Sequence, residues 1–189
     1  LAARMVDGVI LVRPGTFDDR VALLQKRNMP LVTYGRTLDN APHAWVDIDN
    51  VSAVAEATAH LVSLGHRRMA LLTGPRNLSF AVQRQQGFEL GLRTSGVDPA
   101  TCPVVNVALT PAAGMQAATQ LLSYGAALRP SAFVCVTDAL ALGVYQAAET
   151  QGLQVGHDVS VIGFGNSSTA EFADPPLASI DQALSDSGR

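Results

Sequence analysis

Short runs dominated by β-branched and other apolar residues alternate along this chain with longer runs in which apolar residues recur at helical spacing. That alternation leaves few folds open. Strand, helix and strand in succession build a parallel sheet with crossovers, whose inner strands are buried on both faces and read as continuous apolar runs. The pattern predicts strands over Val6–Val12, Pro30–Tyr34, Ala44–Ile48, Met69–Thr73, Pro103–Val107, Ala132–Val136, Val159–Gly163 and Ala178–Gln182. It predicts helices over Asp18–Arg27, Val51–Leu64, Phe80–Ser95, Pro111–Tyr124 and Ala139–Gln151, with a short one near Thr169–Ala173.

The run from Val51 shows the helical period well: Val51, Val54, Ala55, Thr58, Leu61 and Val62 fall on one face, and Gly65 stands where a left-handed cap belongs. A break falls at Asp47-Ile48-Asp49-Asn50. Three strands precede it and a fuller set of β/α units follows. Two α/β lobes joined near Asp49 fit this better than one continuous sheet: residues 1–49 as a partial N-terminal lobe, 50–181 as a C-terminal lobe, and 182–189 as the start of a return crossover. The opening Leu-Ala-Ala-Arg-Met-Val-Asp-Gly reads as mid-domain sequence, so a fragment of a longer protein is expected.

Composition narrows the function classes. At 189 residues and 48% apolar content there is ample material for a packed core, and disorder is excluded although only 15% of residues are charged. The net charge of −3 offers no footprint for direct binding of DNA or anionic lipid. The uncharged stretch Pro99 to Leu128 is long enough to span a bilayer, but Pro103, Pro111, Asn106, Gln116 and Gln120 together argue against it. Two cysteines make neither a zinc knuckle nor a disulfide framework, and Cys135 reads as a buried small hydrophobe. That usage fits a cytoplasmic protein.

In open α/β sheets, ligands bind beyond the carboxyl ends of the strands. Those ends deliver Gly35 and Arg36; Gly74 to Asn77, with Phe80 and Arg84 early in the next helix; Thr137 and Asp138; and Phe164 to Ser167. Guanidinium, carboxylate, amide, hydroxyl and aromatic groups on one edge are the inventory for a hydroxyl-rich small molecule. The candidate ligand-binding residues are thus Arg84, Asp138, Thr137, Asn166, Arg36, Phe80 and Asn77. Each also has a plainer role: Asp138 as a helix cap, Arg36 as a solvated loop charge, Asn166 as a turn residue, Phe80 as core. His60 lacks metal-ligand spacing with His66, and His66 sits at the opposite end of its strand. No nucleophile elbow, Walker loop, zinc motif or dinucleotide fingerprint appears, so a binder without cofactor or metal is expected rather than an enzyme.

Several stretches resemble the effector-binding domain of LacI/GalR-type transcriptional regulators: Val46-Asp47-Ile48-Asp49-Asn50, Leu64 to Gly74, Arg84-Gln85-Gln86-Gly87-Phe88, Thr137 to Gly143, Asp158 to Phe164 and Pro175 to Gln182. They run in order over nearly the whole chain. The resemblance implies a two-lobed periplasmic-binding-protein-like fold of parallel sheets flanked by helices, here with an incomplete N-terminal lobe. It also implies an effector gripped by Arg84 with Thr137 and Asp138 facing the cleft, a homodimer, and operator DNA bound through a helix-turn-helix absent from this chain. One departure stands out: the family's aspartate after Gly-Phe is replaced by Gly165, followed by Asn166. A mono- or disaccharide is the expected effector, with purines and phosphorylated sugars left open, since Arg36 and Arg84 together suit a phosphate. The competing readings are a solute-binding protein of a sugar transporter and, third, an α/β enzyme.

Overall fold

In the computed structural model, which describes residues 6–39, 41–125 and 127–182, the chain folds into two parallel sheets. The first is built from β1 (Val9–Val12), β2 (Leu31–Tyr34) and β3 (Ala44–Val46) in that order, with helix α1 (Asp19–Lys26) between β1 and β2. The second takes β4 (Met69–Thr73), β5 (Val104–Asn106), β6 (Ala132–Cys135), β7 (Ser160–Phe164) and β8 (Ala178–Ile180) in the order β5-β4-β6-β7-β8. All pairings between these strands are parallel. The change between the sheets falls at residues 47–49, between β3 and helix α2 (Asn50–Ser63), where the sequence places its break. Asp49 caps α2, its carboxylate accepting from Ser52 N at 2.9 Å.

The core belongs to the second sheet. Every residue of β4 and β6 is buried, as the apolar runs Met69–Leu72 and Ala132–Cys135 require of strands covered on both faces. Helix α2 packs against α3 (Ser79–Thr94), and α4 (Pro111–Leu122) against α5 (Asp138–Thr150). Glycine makes both approaches close. A side-chain carbon at Gly91 would stand 2.6 Å from the Ala55 carbonyl oxygen, and one at Gly114 would stand 2.6 Å from that of Leu140. Each fully buried leucine of β4, Leu71 and Leu72, stabilises the fold by about 1.5–3 kcal/mol relative to exposure. Both cysteines are free and buried, and burial pushes the Cys135 thiol well above its ordinary range.

Two expectations need correction, and one short element is new. The Thr169–Ala173 segment forms turns, not a helix, because five residues cannot repay helix nucleation and Pro175-Pro176 follow at once. Pro99–Thr101 forms a 3₁₀ turn, opened by Asp98 accepting from Ala100 N. Several strands are shorter than predicted: β1 begins at Val9, after exposed Asp7 and Gly8. The expected crossover at 182–189 lies outside the described residues apart from Gln182. No helix among the described residues is long and apolar enough to cross a membrane.

Candidate functional site

Strand order in the second sheet reverses at β4, since the chain first steps out to β5 and then back past β4 to β6. The loops after β4 and β6 therefore diverge and leave a crevice at the carboxyl edge, the place where open α/β sheets bind ligands. The carboxyl ends of β1 and β2 face it from the other sheet. Between them lies a cavity of about 550 Å³. Its walls combine apolar Ile10, Val12, Pro14, Tyr34 and Phe80 with polar Arg13, Arg36, Asp47, Asn50, Arg84 and Thr137.

Arg84 lies one turn into α3 and is only 5% exposed. Its Nε donates to Asn50 Oδ1 at 2.8 Å and its Nη1 to the Val136 carbonyl at 2.5 Å. The guanidinium sits between two rings, its central carbon 4.8 Å from the Phe80 centroid and 3.3 Å from that of Phe164. Burial lowers its pKa to about 9, opposed by the negative charge of Asp47. Asn50 is buried too: its amide donates to Asp47 Oδ1 at 3.1 Å and Gln83 Oε1 at 3.0 Å. Two of the three guanidinium nitrogens are thus fixed by the protein, and the group is preorganised rather than swinging.

Arg36 stands on the opposite rim, its guanidinium 5.0 Å from the Trp45 ring centroid. Its Nε lies 3.5 Å from Asp47 Oδ2, an ion pair without a well-formed hydrogen bond, while its backbone N donates to the same oxygen at 3.2 Å. The Tyr34 hydroxyl is buried and has no hydrogen-bond partner among the described residues.

The structure brings Arg84, Arg36, Phe80 and Thr137 together on the cavity and leaves Asp138, Asn166 and Asn77 outside its walls. Thr137 is the N-cap of α5, its hydroxyl accepting from Leu140 N at 3.3 Å, so Asp138 is the first helical residue and not the cap. The Asp138 carboxylate turns to the loop after β7 and to β8, accepting from Ser167 N at 2.7 Å and Ser179 Oγ at 2.6 Å. A side-chain carbon at Gly163 would collide with Asp138 Oδ1, so the glycine makes room for the carboxylate. Asn166, in the left-handed region at φ 47°, shapes the turn: its N donates to Ser179 Oγ at 2.9 Å and its amide to Asp181 Oδ2 at 3.3 Å. Asn77 works through its backbone, whose carbonyl accepts from Thr16 N at 2.9 Å. Beside it Gly15 and Leu78 form an isolated antiparallel bridge, and Ser79 Oγ donates to the Gly15 carbonyl at 2.7 Å, so the loops after β1 and β4 are tied across the cavity's edge.

Sequence reasoning missed Asn50, Asp47, Tyr34, Gln182 and the apolar pair Ile10 and Val12. Ile10 and Val12 carried a signal, since residues two apart share a face of a strand. Asn50 carried none, because its position at a helix start is explained by capping preference alone. His66 is at the far end of the sheet, its ring nitrogens 2.8 Å from Ser131 Oγ and 3.0 Å from Ser160 Oγ. Among the described residues no cluster of side chains is arranged to hold a metal ion.

A model of the periplasmic binding protein-like domain matches residues 58–189. The transcriptional regulator CelR of Thermobifida fusca is 31% identical over 191 aligned residues, covering all of this chain and 56% of that protein. Among solved structures, a LacI-family regulatory protein from Chloroflexus aggregans superposes with a TM-score of 0.90 at 31% identity, covering 97% of this chain and 65% of the other. A CelR–cellobiose complex superposes at 0.88 with 33% identity, covering 100% and 57%. The chain spans about half the length of the curated relative it matches. It belongs to the periplasmic binding protein-like domain family, and within that family it resembles the effector-binding part of LacI-type transcriptional regulators.

Proposed function

We propose that this chain is the effector sensor of a LacI-type regulator: a small molecule, carbohydrate in kind, binds between the lobes and thereby alters the affinity of the whole protein for operator DNA. The observation that supports this most directly is the preorganised Arg84, buried, doubly hydrogen-bonded and capped by two rings, on a cavity large enough for a saccharide. An aromatic face beside a fixed guanidinium suits a sugar ring with its hydroxyl groups. Arg84, Arg36, Thr137 and Phe80 contact the ligand; Asp138 and Asn166 hold the loop after β7, and Asn77 joins the lobes. Residues 47–49 connect the lobes, and closure there is the two-state step. Effector binding favours the closed state only by its differential affinity for it. The whole protein acts as a cytoplasmic homodimer whose DNA-reading heads lie in other parts of the protein.

The test is a thermal-shift screen of the complete regulator against sugars and nucleosides, with Arg84→Ala alongside, followed by operator binding with and without each hit. A ligand at about a hundred times its Kd adds roughly 2.7 kcal/mol of stability. A sugar-specific shift that disappears in the variant, with a matching change in operator affinity, supports the reading. A shift that survives Arg84→Ala places the ligand elsewhere.

A further inference from the structure

Charge on the described walls of the cleft is lopsided. The walls carry three guanidinium groups, Arg13, Arg36 and Arg84, against the single carboxylate of Asp47, an excess of two positive charges in a chain whose net charge is −3. Asp47 is already committed. Its Oδ1 accepts from Ile48 N at 2.9 Å and Asn50 Nδ2 at 3.1 Å, and its Oδ2 faces Arg36. Asp138 is committed as well, to Ser167 and Ser179. Among the described residues no carboxylate forms an ion pair with Arg84, whose only protein acceptors are the neutral oxygens of Asn50 and Val136. A cation that is 95% buried and paired only with neutral dipoles is costly, and an anion reaching it removes that cost.

The hydrogen-bonding character of the walls agrees. After β7, where the resemblance leads one to expect an aspartate, the chain has Gly165. A side-chain carbon there would come 3.3 Å from Asp138 Oδ2 and 3.4 Å from Gln182 Nε2, so this corner adds no carboxylate beyond Asp138, which Ser167 and Ser179 already engage. The Tyr34 hydroxyl adds a buried donor without a partner among the described residues. The three guanidinium groups on the walls donate and cannot accept, and the carboxylates of Asp47 and Asp138 are already engaged. A carboxylate or phosphate only accepts, and is matched to those guanidinium donors.

We infer that the effector is a sugar-sized molecule bearing an anionic group, a carboxylate or a phosphate, whose charge is neutralised by Arg84 with Arg13 and Arg36. This rests on the effector-sensing reading and narrows its ligand class. The apolar wall of Ile10, Val12 and Phe80 takes the body of the ligand, and the guanidinium groups take the anion.

The experiment uses the complete regulator and matched pairs that differ only in charge: glucose with glucuronate and with glucose 6-phosphate, ribose with ribose 5-phosphate, cellobiose with cellobionate. Inorganic phosphate serves as the minimal probe against chloride at equal ionic strength. Each is followed by thermal shift and calorimetry on the wild type, Arg84→Met and the exposed-residue variant Arg13→Ala. The expected result is that phosphate raises the melting midpoint above the chloride control. The charged member of at least one pair should then bind more tightly, by about 10- to 100-fold, with Arg84→Met removing the preference and Arg13→Ala reducing it. The carboxylate and phosphate pairs tell the two anions apart. Should Arg84→Met fail to fold, the wild-type pairs and Arg13→Ala still decide. The inference is overturned if phosphate does no more than chloride and no charged member is preferred, or if the preference survives in both variants. A neutral sugar that binds through Arg84 better than its charged partner overturns the anion while leaving the sensor reading intact. A response to anions without any to the sugar bodies does the reverse to the carbohydrate assignment.

Discussion

Asp138 separates two explanations of one carboxylate, and Asp138→Asn tests them. If it is a buttress, the ligand-free protein should suffer. The carboxylate accepts from Ser167 N at 2.7 Å through one oxygen and from Ser179 Oγ at 2.6 Å through the other. Asparagine has nearly the same shape but one acceptor oxygen, so it can satisfy only one of the two donors and turns an amide N–H toward the other. Hydrogen bonds to a charged acceptor contribute about 1.5–3 kcal/mol each, against about 0.5–1.5 for neutral ones. Losing one and weakening the other costs roughly 2–4 kcal/mol, with relief of carboxylate desolvation and the exposure of Ser167 favouring the low end. For a chain of this size that is a fall of roughly 4–16 °C in melting midpoint. The assay is urea and thermal unfolding of the ligand-free protein, paired with calorimetric titration of whichever ligand the screen finds. Loss of stability with affinity changed by less than about threefold supports the buttress. Unchanged stability with affinity lost by tenfold or more would refute it and put Asp138 in contact with the ligand.

Other expectations follow from the same geometry. Gly163→Ala should destabilise by about 1–3 kcal/mol in urea unfolding, because the added methyl meets Asp138 Oδ1 and Leu177, and Gly163→Ala combined with Asp138→Ala should recover part of that loss. Ile10 is 75% exposed yet lines the cleft, so Ile10→Ser should leave stability within about 0.5 kcal/mol while weakening ligand binding; an effect on stability alone would count against its role. Burial lowers the His66 pKa below its ordinary value, so the unfolded chain binds the proton more readily and stability falls as pH drops below about 6.5. His66→Gln should flatten that acid limb, and an unchanged pH profile would show that the ring titrates normally.

The eight strands and five long helices were legible in the sequence because each depends on local pattern. Met69–Leu72 and Ala132–Cys135 are apolar throughout, as a doubly covered strand is, and the face Val54, Thr58, Leu61 and Val62 keeps a clean helical period. The rule that ligands sit beyond strand ends also placed Arg84, Arg36, Phe80 and Thr137 on the cavity. It could not say which way a strand-end side chain turns. Asp138 and Asn166 emerge from the same edge but bond to β8 and its flanks, which lie over forty and over ten residues further on. That choice depends on the bare strand at Gly163 and on the hydroxyl of Ser179, long-range partners that no periodicity encodes. Asn50 escaped for the same reason: its acceptor role toward Arg84 spans 34 residues.

The tie between Gly15 and Leu78 has a mechanical consequence. Among the described residues the two sheets are linked covalently through residues 47–49 and again, by hydrogen bonds, through the loops after β1 and β4. A body held at two separated points pivots about the line through them more easily than it gapes. Changes in cleft width then fall on the rim away from both attachments, while the edge beside Asn77 keeps its spacing. The proposed movement between the lobes should then be a twist about a set axis for as long as the bonds at Gly15 and Ser79 hold.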